Sequence, residues 1–380
     1  MHLLLALLLA GPSSATPRVA LAAFDAARVD TVADTTWYIT NRARRAGRMT
    51  RTTTDSLEFG YVVTRFLEGR GETDSERLLG RSRAQRGDSV RLTREEFVQR
   101  VAAADARAAA RGDGAVLYVH GYATSFARGV AQSAETAHRA GYAGPFILFA
   151  WPAHTALATW PTPKMLISHA YRDDSVAAAR SAAAFRAAVM VVREAVRPGA
   201  LTVVGHSMGA QLVAEALSAP GPEHDALAAQ PLRAIAFFAA DIGAIWFRDS
   251  VAPAIAPLAA RRVVYASSAD KMLALSRLVN HAPRLGQVGT ARFLRDAGVE
   301  VVDVSRATRA RGSWTTKLID VHHAMRTSGA ALLDLFDDVV RGQPATCRSS
   351  TGLADRDAAG VWHLGKTATP HSPACVPTIE

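Results

Sequence analysis

This sequence has almost no cysteine, almost no lysine and no long apolar run. Its two cysteines, Cys347 and Cys375, both lie near the C-terminal end of 380 residues. Neither directly follows the apolar run at the N-terminus, so a bacterial lipoprotein anchor is not expected. In an oxidising compartment the pair would form one disulfide closing the tail; two unrelated thiols are the alternative. Only four of the 44 basic residues are lysines (164, 271, 317 and 366), although the net charge is +10. Abundant arginine and alanine read as the bias of a GC-rich coding sequence. No aromatic residues interleave with the basic ones and no DNA- or RNA-binding motif occurs, so nucleic acid is not an expected partner.

The apolar run Leu3–Ala10 is far short of the roughly 20 residues a membrane-crossing helix needs. Ser13-Ser14-Ala15 follows with the small-residue spacing of a signal-peptidase site, so residues 1–15 read as a signal peptide and the protein as exported, periplasmic or extracellular. No Lys or Arg precedes the run, and an ordinary apolar first helix is the alternative. Beyond the leader, no membrane association is indicated. Internal repeats are also absent, as are HExxH and any second cluster of metal ligands, so no metal is expected.

What is present is a hydrophobic content of 49%, enough for a sizeable core. Residues 16–112 divide into strands at 35–42 and 57–66 with an Arg/Thr-rich connection, a polar stretch 69–92 that reads as a mobile loop, and a helix. Thr93 with Glu96 three residues on forms a capping box, and Phe97, Val98 and Val101 share one face of that helix, which ends by Gly112. From 113 to 342 strands alternate with helices. Strands are expected at 115–120, 146–151, 201–205, 234–240, 262–267 and 299–304; helices at 125–140, 175–196 and from the last strand to about Gly342. That alternation predicts an α/β fold with a mostly parallel, doubly wound sheet covered on both faces, and an N-terminal strand pair beside it. Residues 343–380 read as a tail rather than a second domain.

One stretch raises a chemical question. Leu201, Val203 and Val204 form a strand pattern that stops at Gly205-His206-Ser207-Met208-Gly209 and becomes helical at once. This fits G-x-S-x-G, in which glycines relieve crowding around a serine on a strained strand-to-helix turn. The turn exposes the Ser207 hydroxyl and sets the Met208 N–H at a helix N-terminus, suited to a developing oxyanion. A serine hydroxyl needs a base, and the base needs orienting. Downstream lie Asp241, Asp270 and Asp303 at or near strand ends, then the neighbours His322 and His323, so the chain order serine, acid, histidine is satisfied. His120-Gly121 after the 115–120 strand allows close backbone approach, and the Tyr122 N–H is the candidate second oxyanion donor. His120 precedes the serine and reads as a structural loop residue.

These segments, taken in order, resemble a bacterial family of α/β hydrolases of unknown function. The likeness is carried by "TNR" (40–42), "FGY" (59–61), "HGYATSF" (120–126), "FAWP" (149–152), "GHSMG" (205–209), "AAD" (239–241), "YASSAD" (265–270), "PRLG" (283–286) and "VHHAM" before "DL" (334–335). It spans roughly residues 37–340. The resemblance implies the α/β-hydrolase fold, a serine nucleophile and no cofactor, and it names no substrate. It favours Asp270 as the acid, because the strand two beyond the elbow usually supplies it, and His322 as the base by its matching position. Two departures stand out: residues 152–170 are longer than the family pattern, and Val321 occupies a position where glycine is usual.

The expectation is an exported, esterase- or lipase-like serine hydrolase that cleaves a small-molecule or lipid carboxylic ester through an acyl-enzyme. Ser207, His322 and Asp270 form its triad, with Tyr122 and Met208 as oxyanion donors. Amidase and thioesterase chemistry use the same machinery. A non-catalytic binding protein on this scaffold is the alternative from another class. The segment 153–174, with Ala156, Leu157, Trp160, Met165, Leu166 and Ile167, is expected to cap the pocket or else to pack on the sheet edge. Nothing in the sequence sets the oligomeric state.

Overall fold

The computed structural model describes residues 29–69, 83–153, 163–294, 296–307, 321–350 and 353–365. The expected signal peptide, three of the expected cap's six apolar residues (Ala156, Leu157 and Trp160) and Cys375 lie outside them.

The chain enters the sheet through a long antiparallel ribbon, β1 (Val29–Arg45) and β2 (Arg48–Gly69). It turns at Ala46 and Gly47, with φ of +46° and +76°, the left-handed pair that suits a two-residue hairpin. Both strands extend beyond the expected 35–42 and 57–66, because the Arg/Thr-rich connection is itself paired. Its threonines are β-branched and fit a pleated surface. A second difference is β3 (Arg83–Leu92), which pairs antiparallel with β2 where a mobile loop was expected; residues 70–82 lie outside the described residues. Helix α1 (Arg94–Ala109) carries the Thr93–Glu96 capping box.

Then come β4 (Ala115–Val119), α2 (Phe126–Arg139) and β5 (Phe146–Phe149). The helix expected over 175–196 is two, α3 (Pro163–Arg180) and α4 (Ala182–Ala195), bent by 49°. Ser181 explains the break. Its hydroxyl donates to Ala177 O at 2.8 Å and accepts from Asn41 Nδ2 at 2.9 Å, competing with the helical ladder. The early part of α3 thus occupies positions 163–174 of the expected cap, while 154–162 lie outside the described residues. No single described helix is long and apolar enough to cross a membrane. The core continues with β6 (Leu201–His206), α5 (Met208–Ser218), α6 (Pro222–Ala229), β7 (Leu232–Phe238), β8 (Ala259–Ala266), α7 (Lys271–Asn280) and β9 (Glu300–Asp303).

The closing helix is a series of short pieces, Ala324–Thr327, Gly329–Leu333 and a π-helical stretch Asp334–Val340. Ser328 interrupts it and caps the second piece through Ala331 N at 3.2 Å. The tail also differs from expectation, since β10 (Ala354–Arg356) and β11 (Trp362–Leu364) extend the main sheet, β11 lying parallel to β9. Buried Arg348 pins this edge, with Asp334 and Glu300 as its ion-pair partners and Trp362 under its guanidinium. Cys347 is disulfide-bonded, and the chain has one other cysteine, Cys375.

Among the described residues the sheet order is β10-β11-β9-β8-β7-β6-β4-β5-β1-β2-β3. The strands from β11 through β1 are mutually parallel, with antiparallel partners added at both edges. Period-two alternation along each strand feeds two cores. Leu117, Val203 and Phe237 face α1, α4 and α5, while Tyr118, Val204 and Phe238 face α2 and the 324–340 segment. In an open parallel sheet the strand C-terminal ends are where loops can converge on a ligand. The polar residues singled out above gather there.

Candidate active site

Ser207 sits between β6 and α5 with φ +54° and ψ −120°, a conformation a non-glycine residue adopts only when its surroundings force it. The force is visible on both sides. Ser207 N–H donates to Phe238 O at 2.9 Å, and its own carbonyl accepts from Asp241 N at 3.2 Å. Gly209 cannot be replaced without a collision: a Cβ there would lie 2.3 Å from His120 O and 2.6 Å from Val119 O. A Cβ on Gly121 would meet Ser207 Cβ at 3.0 Å, which places the 120–124 loop directly against the serine.

His322 reaches this serine from the far end of the chain. Ser207 Oγ–H donates to His322 Nε2 at 2.9 Å, and His322 Nδ1–H donates to Asp270 Oδ2 at 2.8 Å. All three side chains are buried. The other Asp270 oxygen caps α7, accepting from Leu273 N at 3.0 Å. Asp270 therefore orients an imidazole with one oxygen and caps a helix with the other. Burial pushes its carboxyl up, but His322 and the Leu273 N–H outweigh that and hold it below the ordinary range. For His322 burial lowers the imidazole, but the Asp270 carboxylate overcomes it, with Asp241 adding at longer range, and the net direction is upward.

The other candidates lie elsewhere in the network. Asp241, the alternative acid, accepts from Arg284 Nε at 2.6 Å and Tyr171 Oη at 2.8 Å, with Ser276 as a third donor. Asp303 accepts from Ser305 N at 2.8 Å and His363 Nδ1 at 3.0 Å. Neither has His322 as a hydrogen-bond partner. The imidazole at the serine is that of His322, and the His323 ring lies 5.0 Å from that of His206 and 5.5 Å from that of His322. His206 in turn donates from Nε2 to His322 O at 2.9 Å, fixing the backbone of the histidine segment.

The 120–124 loop is held from three sides. Trp151 Nε1–H donates to His120 O at 2.7 Å, Arg42 Nη2 donates to Thr124 O at 2.9 Å, and Ala123 N–H donates to Asp174 Oδ2 at 3.0 Å. His120 is wholly buried and stacked on Trp151, and burial with Arg42 nearby takes its pKa down to about 3, so it stays neutral. Tyr122 lies in the segment against Ser207, and the first N–H groups of a helix, Met208's among them, have no acceptor inside it. Sequence reasoning missed Tyr171, Ser276, Arg284, His206 and Asp174. Arg284 lies in the "PRLG" segment and Arg42 in "TNR", both noted without a role; Tyr171 and Asp174 carry no local signal at all. Among the described residues no group of three or more His, Cys, Asp or Glu is placed to hold a metal.

A serine on a tight turn, an imidazole poised at its oxygen and a carboxylate behind the imidazole are suited to nucleophilic attack on an electrophilic carbon. A family model described as "Alpha/beta hydrolase of unknown function (DUF900)" matches residues 99–317, which include Ser207 and Asp270 and end before His322. No curated protein matches the chain. Similar solved structures include an esterase of the fungus Rhizomucor miehei, at 11% identity and a TM-score of 0.33, covering 83% of this chain and 86% of that one. Another is prolyl oligopeptidase B from Galerina marginata, at 12% identity and a TM-score of 0.21, with 80% of this chain covering 36% of that one.

Proposed function

Because the chain belongs to the α/β hydrolases of unknown function, we propose that it is a serine hydrolase acting on a carboxylic ester through an acyl-enzyme. One observation carries the reading: the continuous relay from Ser207 Oγ through His322 Nε2 and Nδ1 to Asp270 Oδ2, with contacts of 2.9 and 2.8 Å.

In this reading Ser207 Oγ attacks the ester carbonyl carbon as His322 Nε2 takes its proton. Asp270 keeps the imidazole in the tautomer that presents Nε2 to the serine and stabilises the imidazolium that forms. The carbonyl oxygen, now negative, is received by the N–H groups of Met208 and Tyr122, which are fixed before the charge develops. The tetrahedral intermediate collapses by breaking the carbon–oxygen bond to the alcohol, which leaves with the proton from His322. Water then enters by the same route, giving its proton to His322 as its oxygen attacks the acyl carbon. Collapse frees the acid and returns the proton to Ser207. The leader-like residues 1–15 and the disulfide at Cys347 support action in an oxidising compartment outside the cytoplasm.

The test is covalent. The folded protein should label with a fluorophosphonate probe at Ser207, and Ser207→Ala and His322→Ala should not label, whereas His323→Ala should. An unlabelled wild-type protein with normal circular dichroism would leave a binding protein on this scaffold as the correct reading. A series of p-nitrophenyl esters of rising chain length then measures the acyl preference.

A further inference from the structure

Large apolar side chains left in solvent are few among the described residues, and they are not scattered evenly. Leu278 is 71% exposed, Ile245 49%, Trp246 39% and Val279 36%. These four lie on two segments that touch: Ala244 N–H donates to Pro283 O at 2.9 Å, and Gly243 bridges Arg284. This pairing brings both groups of exposed apolar side chains to the C-terminal end of α7. Scattered single exposures need no explanation, but a grouped one does.

Its surroundings carry the sign of the partner. Helix α7 has no acidic residue, and on its exposed side Lys271 and Arg277 have no ion-pair partner among the described residues. Arg248, also next to the face, is balanced by Asp249. The inner side of the same helix belongs to the site, since Asp270 caps its start and Ser276 donates to Asp241. A surface docked on the outer side would therefore rest on a helix whose inner side packs against the site. Exposed Leu and Trp with flanking cations are the composition of a segment that rests in a lipid interface, the apolar groups inserted and the cations on anionic headgroups. A second copy of this chain fits less well, because each copy carries a net charge of +10 and the same cations would face each other.

We propose that the α7 outer face, with Ile245 and Trp246, docks this protein on an anionic lipid surface and so presents Ser207 to lipid esters. The substrate part rests on the hydrolase reading; the docking part does not. The experiment uses the full chain with Ser207→Ala, so that vesicles are not consumed, in flotation with phosphatidylcholine vesicles with and without phosphatidylglycerol. The parent should float with the anionic vesicles, and both Trp246→Ser/Leu278→Ser and Lys271→Gln/Arg277→Gln should bind about tenfold less. With Ser207 intact, Trp246→Ser/Leu278→Ser should hydrolyse a soluble short-chain ester at the wild-type rate. Equal binding by parent and variants, or no binding by the parent, overturns the docking surface. So does a parent dimer in light scattering that Trp246→Ser/Leu278→Ser dissolves. Failure of the hydrolase reading shows separately, as absent turnover and probe labelling with vesicle binding intact.

Discussion

Asp241 and Asp270 follow neighbouring strands of one sheet, β7 and β8, and both are buried, yet they have been given opposite partners. Asp270 meets a histidine at 2.8 Å, and Asp241 meets an arginine at 2.6 Å. An arginine never gives up its proton under ordinary conditions, so its carboxylate partner has a fixed charge and a fixed geometry. A histidine changes charge near neutrality, so its carboxylate partner can support proton transfer. The comparison teaches that strand-end position and burial do not assign a role to an aspartate. The group opposite does, together with what that group reaches: Asp303 also meets a histidine, His363, but only His322 contacts Ser207.

The sharpest way to break this comparison is Asp270→Asn. The amide still caps α7, because asparagine is as good a cap as aspartate, but it no longer fixes the tautomer. Turnover should fall by roughly four orders of magnitude, with a Tm close to wild type. Asp241→Asn should do the reverse. It leaves the buried Arg284 guanidinium without its carboxylate, and removing one partner of a buried ion pair costs about 3–5 kcal/mol. The loss appears in chemical denaturation, while turnover per folded molecule drops less than about tenfold. A dead Asp241→Asn beside an active Asp270→Asn would invert the assignment.

A smaller effect is expected at Tyr171, which ties α3 to the Asp241 cluster through its hydroxyl. Tyr171→Phe removes a hydrogen bond to a charged acceptor and should cost about 1.5–3 kcal/mol in urea denaturation. Turnover of a small soluble ester should stay near wild type. If stability is unchanged and turnover falls instead, Tyr171 belongs with the Asp270 group rather than with Asp241.

The two regions also differed in how well they could be read from sequence. Ser207, Asp270, His322 and the capping box at Thr93 follow local rules, a turn motif, strand ends and chain order; the structure joins the first three by hydrogen bonds and forms the box at the start of α1. The parallel core was readable for the same reason, since buried strands are short apolar runs. Arg284, Ser276 and Tyr171 were not, because they meet only through tertiary packing of three segments, and each is ordinary in its own window. The outer half of the ribbon β1–β2 and strand β3 escaped because their residues are polar and Arg-rich, and the tail strands because each is only three residues long. Such strands are held largely by pairing with an existing edge.

The last and smallest effect is on pH, and it separates the two aspartates by degree. In the proposed mechanism the active form requires neutral His322, whose pKa lies above its ordinary 6.5, because the Asp270 carboxylate overcomes its burial. For the wild type, kcat/KM should be level at alkaline pH and fall tenfold per unit below that raised value. In Asp270→Asn the break should move clearly to lower pH, and in Asp241→Asn only slightly, since Asp241 is the weaker of the two influences on His322. The stability sign runs the other way. A raised histidine contributes stability that is complete below 6.5 and is lost as pH rises through its folded value. The depressed Asp270 contributes stability present above its ordinary 3.8 and lost as pH falls through its folded value. Their shared interaction is therefore fully stabilising between those two ordinary values and fades just where the enzyme becomes active. Proton NMR of the His322 imidazole in Ser207→Ala, with and without each aspartate substitution, measures the order directly. Equal displacements by the two substitutions would erase the distinction between a carboxylate that serves proton transfer and one that serves the fold.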